Sequence, residues 1–438
     1  MSADTQVAAS ASVVSEEARW KYLDHIRRTP GPFTDPDATS EEFLAQFEKF
    51  KVLVIGAGGL GCEILKNLAM SKFKDIHVID MDTIDISNLN RQFLFRSSDV
   101  GKFKAEVAAQ FVERRVKGVS ITPHNKKIQD FDDTFYKQFQ LVVCGLDSIE
   151  ARRWINAMLV SIAEEAEDPD GIKPLIDGGT EGFKGQARVI LPSMTSCIEC
   201  QLDMHSPRAA VPLCTIATIP RQPEHCVEWA HIIAWEEEKP FPELDKDDPE
   251  HITWLYQRAL KRAQEFGISG VTYSLTQGTI KNIIPAIAST NAIVAAACCN
   301  EAFKIATNSA PCLGFENNYM MYSGNDSIYT YTFKHEKKGD CPVCGGEARP
   351  LELDPKITLQ ELLDSFAIRP EAQLKRPSIR AESKTLYMQF PPSLEEQSRP
   401  NLVKTISELG LIDGQQVVVT DPAFPLEFKF YLRFKAAS

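Results

Sequence analysis

The sequence has little that is typical of a transmembrane segment or of a secretory signal. Its longest uncharged stretch, residues 283–299, contains Pro285 and Asn291 and is about one helical turn short of a membrane span. Residues 1–19 are polar and have no apolar core. We therefore expect a buried helix in the first segment, a disordered start in the second, and no association with a membrane.

The chain also has fewer basic residues than acidic ones. The 438 residues include 48 Lys and Arg against 60 Asp and Glu, which gives a net charge of −12. This balance argues against nucleic acid or an anionic membrane surface as the partner. The 43% hydrophobic content is ordinary for a globular protein, and the length predicts about three domains.

Cysteine is present in an odd number. Eleven cysteines in a chain with no secretory signal predict reduced thiols. The expected location is therefore the cytoplasm and the nucleus.

A glycine-rich turn follows the first apolar β-branched run, in residues 51–63. Gly56 permits the tight turn, Gly58 lets the backbone approach a phosphate, and Gly61 allows close packing of helix on strand. Asp80 ends a second apolar run about 20 residues further on, where a carboxylate can hold a ribose hydroxyl. By itself this pattern is typical of an NAD-dependent oxidoreductase, which is the alternative from a different functional class.

The residues after Asp80 favour ATP over NAD. A triphosphate that is held and split needs cations and amide donors, which stabilise charge moving onto the leaving pyrophosphate. A later buried strand, 141–145, delivers Asp147 to the edge of the sheet where ligands bind. The amide and cationic candidates are Asn88, Asn90, Arg91, Gln92 and Lys104.

Shifts in composition predict an α/β protein with three folded parts. Residues 1–46 form a flexible arm, and residues 47–203 and 270–346 form a doubly wound α/β domain. Between these two segments, the proline-broken and mainly helical residues 204–269 form an inserted domain. In residues 347–438 the order of strands and helices resembles a ubiquitin-like β-grasp domain.

Two Cys-x-x-Cys pairs predict a structural zinc site. Cys197 and Cys200 precede the inserted segment, and Cys341 and Cys344 follow it. Four soft ligands in an intracellular chain suit tetrahedral zinc. The alternative is two unrelated pairs of thiols.

Two other cysteines are candidate nucleophiles. Cys214 lies in a proline-broken segment with Arg208 and Arg221 nearby in sequence, and Cys226 stands beside His225. Nearby positive charge favours a reactive thiolate. The chemistry alone does not choose between the two thiols.

Taken together, the motifs resemble a known enzyme family. Gly-Ala-Gly-Gly-Leu-Gly, Asp-Met-Asp and Asn-Leu-Asn-Arg-Gln-Phe-Leu-Phe resemble the adenylating enzymes of molybdopterin and thiamine biosynthesis, and still more the enzymes that activate ubiquitin-like modifiers. With Pro-Leu-Cys-Thr, the paired cysteines and the β-grasp tail, residues 31–434 resemble the catalytic subunits that activate Nedd/Rub-type modifiers. The fold implied is a Rossmann-like adenylation domain with an inserted catalytic-cysteine domain and a C-terminal ubiquitin-fold domain.

The resemblance assigns roles to particular residues. It implies that Cys214, rather than Cys226, forms the thioester. It also implies that Asp80 or Asp82 holds the ribose and that Asp147 holds Mg²⁺. Around the phosphates of ATP it places Asn88, Arg91, Gln92 and Lys104.

The resemblance also implies partners. These are the modifier, a conjugating enzyme recruited by the C-terminal domain, and a homologous regulatory subunit that completes a heterodimer. Arg188 is expected to line the channel for the modifier's tail and to repel the arginine of ubiquitin; the alternative is an ion pair with an acid such as Glu181. A SUMO-activating subunit is the other candidate within the family, but the short inserted domain and the absence of a basic tail favour neddylation.

Overall fold

The computed structural model describes most of the chain. The described residues are 16–31, 37, 39–166, 168–205, 218, 220–241, 244–245, 248–280, 286–369, 372–381, 384–425 and 427–435. The chain divides into two compact units, one comprising Met1–Leu202 with Ile287–Ser438 and the other Asp203–Ala286.

Helices and strands alternate along much of the chain. The α-helices are α1 (Glu16–Arg28), α2 (Ser40–Glu48), α3 (Gly59–Met70), α4 (Lys104–Arg115), α5 (Asp133–Lys137), α6 (Ile149–Glu165), α7 (Pro223–Trp229), α8 (Trp235–Glu238), α9 (Pro249–Glu265), α10 (Tyr273–Ile280), α11 (Ala288–Thr307), α12 (Leu359–Ile368) and α13 (Pro392–Ser398). The strands are β1 (Lys51–Ile55), β2 (Asp75–Ile79), β3 (Ser120–His124), β4 (Leu141–Cys144), β5 (Leu175–Glu181), β6 (Lys184–Ile190), β7 (Tyr319–Ser323), β8 (Tyr329–Phe333), β9 (Arg349–Leu353), β10 (Ser378–Ala381), β11 (Lys384–Tyr387), β12 (Gln416–Thr420) and β13 (Glu427–Phe434).

The larger unit is built on an eight-stranded sheet of order β3-β2-β1-β4-β5-β6-β7-β8. The first five strands in that order, from β3 through β2, β1 and β4 to β5, are parallel to one another. Strands β6, β7 and β8 continue the sheet with antiparallel pairing. The strand order reverses between β1 and β4. Ligands of doubly wound sheets bind in the crevice at such a reversal, beyond the carboxyl ends of the strands.

Strand β1 is apolar because both faces of the sheet are covered. Val52 and Val54 join the core that includes α3, α4 and α11, whereas Leu53 and Ile55 join the core on the opposite face. Buried parallel strands read as continuous apolar runs for this reason. The predicted doubly wound α/β fold is confirmed.

The uncharged run at 283–299 contributes to a buried helix, as predicted. Helix α11 packs on α3 and against strands β5 and β6. Its small buried residues Ala295, Cys298 and Ala302 permit this close approach. No helix among the described residues is long and apolar enough to cross a membrane.

The smaller unit is helical and is centred on α9. Leu255, Ala259 and Ala263 lie on one apolar stripe of this helix and are buried. The expected end of the unit at residue 269 is too early, because Val271 and Ile280 pack into the same apolar core. Helix α10 therefore belongs to this unit.

The C-terminal residues form a five-stranded sheet of order β11-β10-β12-β13-β9. The first of these strands in sequence, β9, runs parallel to the last, β13. Alternate residues of β13 face inward: Phe428, Phe430 and Leu432 are buried and belong, with α12, to a separate core.

The N-terminal arm is not flexible throughout, contrary to prediction. Trp20 and Phe47 are buried, and Arg27 pairs with Asp24 at 2.7 Å and with Glu48 at 3.1 Å. These contacts hold α1 and α2 together. The disordered start expected at residues 1–19 is wrong for residues 16–19, which belong to α1, and residues 1–15 lie outside the described residues.

Candidate active site

The glycine turn joins three strands at one point. Gly56 has a φ of +98°, and its N–H donates to the carbonyl of Ile79 at 2.8 Å. A Cβ atom on Gly56 would lie 2.7 Å from the carbonyl oxygen of Gly145, and one on Gly61 would lie 1.9 Å from that of Gly56. Neither position admits a side chain, so both glycines fix the packing of α3 against the ends of β1 and β4.

Gly58 differs because it faces open space. A Cβ atom there would meet only the amide nitrogen of Gln92, at 3.8 Å. Gln92 is buried, and its side-chain oxygen has no hydrogen-bond partner among the described residues. An amide can offer either its oxygen or its nitrogen, because the two are assigned from the surrounding network. An open cradle beside an unsatisfied buried amide fits a polar ligand such as a phosphate.

Asp80 and Asp82 have different environments. The Asp80 carboxylate accepts the N–H of Ala57 at 2.6 Å and that of Asp82 at 2.9 Å. Burial raises the pKa of Asp80, against the opposing effects of Lys104 and these N–H groups. The Asp82 side chain is 56% exposed and pairs with Lys104 at 2.7 Å. Asp80 thus shapes the glycine turn, whereas Asp82 stays accessible to a ligand.

The segment after Asp82 is held by its own polar side chains. A 3₁₀ helix spans Ile86–Asn90, and the Asn88 carboxamide oxygen accepts the N–H of Asp85 at 2.9 Å. Arg91 donates to the Asn90 side chain at 2.9 Å. The stem of Arg91 lies 3.3 Å from the position of a Cβ on Gly59, so this residue borders the glycine turn.

Asp147 lies at the same edge of the sheet. The N–H of Gly145 donates to the carbonyl of Ile55 at 2.9 Å, and the Asp147 side chain is exposed. Arg152 donates to the carbonyls of Leu146 and Gly178 and so connects the loop that carries Asp147 to β5. Sequence reasoning missed Arg152, although it stands only five residues after Asp147.

Arg188 does not lie in an open channel in this structure. Its guanidinium is fully buried and pairs with Asp177 at 2.9 Å, while another of its nitrogens donates to Gln201. The paired acid is Asp177, not Glu181 as considered from the sequence. Burial alone would raise the pKa of Asp177, but Arg152 and Arg188 together hold this pKa below its usual range.

The hairpin register explains this pairing. Glu181 stands opposite Lys184 across the tight β5–β6 turn, which places Asp177 opposite Arg188. The turn at Gly182 was the sequence signal that could have identified the correct acid.

The two Cys-x-x-Cys pairs come together, as the zinc hypothesis requires. Their four Sγ atoms lie within 4.8 Å of one another, and all four residues are buried. Cys197 and Cys341 are 3.6 Å apart, and Cys200 and Cys344 are 3.5 Å apart. Four sulfurs bound tetrahedrally at about 2.3 Å to zinc would be separated by about 3.8 Å. The donor set and its spacing therefore fit a structural zinc ion.

The two candidate nucleophiles differ in what the structure describes. Cys226 is completely buried in the core of the smaller unit, and burial raises the pKa of its thiol against the influence of Arg262. A buried, protonated thiol is a poor nucleophile. Cys214 lies outside the described residues.

Asn291 also contacts the glycine turn, and sequence reasoning missed it. Its side-chain oxygen accepts the hydroxyl of Thr180 at 2.7 Å, and its nitrogen lies 2.5 Å from the position of a Cβ on Gly59. No local pattern could have found it, because these contacts come from distant parts of the chain.

Comparison with known proteins agrees with this arrangement. The chain matches the ThiF family over residues 35–343 and the E2 binding domain over residues 352–434. The fold and site thus define a member of the ThiF family that carries an E2 binding domain.

The relatives are more specific. The NEDD8-activating enzyme E1 catalytic subunit of Dictyostelium discoideum is 52% identical over 435 residues, which cover 96% of this chain and 97% of that protein. The corresponding subunit of Drosophila melanogaster is 51% identical over 438 residues, 97% of each. SUMO-activating enzyme subunit 2 of Dictyostelium discoideum is 39% identical over 232 residues, 52% of this chain and 33% of that protein. The chain belongs to the family of NEDD8-activating enzyme E1 catalytic subunits.

Proposed function

We propose that this chain activates a NEDD8-type modifier and passes it to a conjugating enzyme. The observation that carries the proposal is the open cradle at Gly58, with Gln92 beside it and the stem of Arg91 against Gly59, in a chain of this family. The family match and these phosphate-binding groups favour adenylation over the NAD-dependent oxidoreductase that the glycine motif alone suggested. The much shorter match to the SUMO-activating subunit favours a NEDD8-type modifier.

In the first step, the C-terminal carboxylate of the modifier attacks the α-phosphorus of ATP. A carbon–oxygen–phosphorus anhydride forms, the bond to the β-phosphate breaks, and pyrophosphate leaves. The transition state is strongly anionic, and cations already in place stabilise it. Arg91 and Lys104 supply such charge at the glycine turn, Gln92 and Asn88 supply amides, and the accessible Asp82 is the better placed of the two acids for the ribose.

Asp147 is the residue that would hold Mg²⁺. Its exposed carboxylate stands at the end of β4 beside the glycine turn. Magnesium at this position would neutralise charge on the phosphates of ATP. Arg152 keeps the Asp147 loop in place through the carbonyl of Leu146.

In the second step, we propose that the thiolate of Cys214 attacks the acyl carbon of the anhydride. A thioester forms and AMP leaves. The support comes from the sequence around Cys214 and from the burial of its rival Cys226. The acyl group stays activated in the thioester and can move to the cysteine of a conjugating enzyme.

The partners follow from the same reasoning. The C-terminal domain, which matches the E2 binding domain, would recruit the conjugating enzyme. We also propose a regulatory subunit with a related fold that completes a heterodimer, because this chain carries one adenylation-type half. Zinc held by the four cysteines would be structural, since all of its ligands are protein thiolates.

Pyrophosphate exchange tests the proposal. The chain, purified with its regulatory subunit, should catalyse ATP–pyrophosphate exchange with NEDD8 and much less with SUMO or ubiquitin. Asp147→Ala should abolish exchange while leaving the zinc content unchanged. Exchange that is independent of any modifier, or strongest with SUMO, would contradict the proposal.

A further inference from the structure

One residue of a buried ion pair lies between two of the clustered cysteines in sequence. Glu199 lies between Cys197 and Cys200, and its side chain is completely buried. Opposite it stands Arg153 of α6, whose side chain is 1% exposed. The guanidinium donates to both carboxylate oxygens, through Nε to one and through Nη2 to the other at 3.2 Å.

Arg153 continues this contact into the C-terminal domain. Its Nη2 donates to the carbonyl of Ala372 at 2.8 Å, and its Nη1 donates to the carbonyl of Gln373 at 3.3 Å. The guanidinium also lies 4.0 Å from the centre of the Phe424 ring. One buried cation thus connects the cysteine segment at 197–200 with two separate loops of the C-terminal domain.

The second pair of cysteines has its own connection to that domain. Asp340 directly precedes Cys341, and its carbonyl accepts Nε of Arg349 at 2.6 Å. Arg349 is the first residue of β9, and its side chain is 8% exposed. Both cysteine pairs are therefore adjacent in sequence to a residue that binds a buried arginine at the edge of the C-terminal domain.

We propose that the four-cysteine cluster is the joint that fixes the C-terminal domain to the adenylation domain, with Arg153 as its positioning residue. A buried cation among fixed acceptors adds geometric specificity more than stability, because its desolvation offsets much of the attraction. Metal in the cluster would hold Cys197 and Cys200, and hence Glu199, in place. Loss of the metal would release Glu199, then Arg153, and then the loops at Ala372 and Phe424.

The functional consequence rests on the proposed function. If the C-terminal domain presents the conjugating enzyme, a loosened joint should raise the KM for that enzyme in the transfer step. Adenylation should be unaffected, because Arg153 and Glu199 contact none of the residues assigned to ATP. The metal would then control transfer separately from activation.

Hydroxyl-radical labelling of the full chain with its regulatory subunit tests the joint without any modifier. Phe424 is 6% exposed beneath Arg153, and Phe366 in the core of the same domain is an internal reference. Arg153→Met, or removal of the metal by a chelator, should increase labelling of Phe424 relative to Phe366 by roughly the several-fold expected of a local opening. Arg153→Lys should lie between Arg153→Met and the parent, because an ammonium can still bind the carboxylate.

Arg380→Met is the matched control, since Arg380 pairs with Glu427 at 2.7 Å on the exposed surface of the same domain. It should leave Phe424 protected. Unchanged labelling of Phe424 in both Arg153→Met and the metal-free protein would overturn the inference, and so would equal exposure of Phe366, which indicates unfolding of the domain. A raised KM for the conjugating enzyme with unchanged pyrophosphate exchange would support the functional consequence. If exchange fails in the parent as well, the proposed function fails, and the labelling result still decides on the joint.

Discussion

Asp177 balances the buried positive charge next to the proposed ATP site. Two arginines share its carboxylate, and both are almost fully buried. One of them supports the loop that carries Asp147, and the other lies on β6. A single side chain therefore balances two cations in a region that solvent does not reach.

Asp177→Asn should destabilise the adenylation domain strongly. Removing one partner of a buried ion pair costs about 3–5 kcal/mol, because the charge left behind is uncompensated. The pKa of Asp177 is lowered in the folded state, so its contribution to stability is present above its unfolded pKa and is lost as the pH falls through the folded value. Unfolded aspartate becomes protonated below about pH 4. As the pH falls through this range, we expect the melting temperature of the parent to decrease more steeply than that of Asp177→Asn. Thermal melts across this range would measure the difference, and parallel curves for the two proteins would contradict the prediction.

The role of Arg188 in discriminating between modifiers stays a prediction, and the structure changes its physical basis. Its guanidinium is tied to Asp177, so it can repel a modifier arginine only if the tail approaches this pair. Arg188→Gln should then raise thioester formation with ubiquitin by roughly ten-fold or more, the effect of about 1.4 kcal/mol, while NEDD8 is largely unaffected. Thioester assays with both modifiers would measure this, and Glu181→Gln is the matched control because Glu181 stands opposite Lys184 in the hairpin rather than opposite Arg188. Continued rejection of ubiquitin by Arg188→Gln would remove the proposed role.

At the level of elements, the glycine turn could be predicted from sequence because its chemistry is local. Gly56, Gly58 and Gly61 lie within six residues of one another. The motif specifies the role of each: Gly56 and Gly61 leave no space for a side chain, and Gly58 faces the open cradle.

Other contacts of the site could not be predicted in this way. The acid that pairs with Arg188 depends on the register of a hairpin, and the position of Asn291 depends on where α11 packs. These contacts between distant segments follow from tertiary packing, which the residue pattern does not contain. The folded N-terminal helices were missed for the same reason, since Trp20 joins a core that is formed mostly by residues distant in the chain.

Gly61→Ala should disrupt the junction of β1 and α3. The added methyl would lie 1.9 Å from the carbonyl oxygen of Gly56, and neither backbone segment can move without disturbing β4. We expect a loss of stability together with loss of ATP binding, measured by thermal melts and by nucleotide titration.

Gly118→Ala is a useful control for this substitution. Unlike Gly61, Gly118 has a positive φ, of +83°, but a Cβ atom there meets nothing within 4 Å. It should therefore cost some stability through backbone strain and leave ATP affinity unchanged. Equal loss of ATP affinity in the two variants would show that packing at Gly61 is not the cause.

At the scale of the whole molecule, the four-cysteine cluster joins segments far apart in the chain. Cys197 and Cys341 are separated by 144 positions and lie on either side of the smaller unit in sequence. We expect metal analysis of the purified protein to give one zinc per chain. Cys344→Ser should lower this content and the melting temperature, because a structural metal contributes binding free energy to folding. A fully folded, metal-free preparation with the parent's melting temperature would contradict the assignment.

Separation of the two chemical steps tests the central claim most directly. The chain and the proposed regulatory subunit would be incubated with NEDD8 and ATP, and pyrophosphate exchange and reducible thioester would be measured in the same preparations. Cys214→Ala should retain NEDD8-dependent exchange and form no thioester, because adenylation requires no thiol. Cys226→Ala should form the thioester, provided that the variant folds. A thioester retained in Cys214→Ala, or lost exchange in that variant with its melting temperature unchanged, would contradict the account.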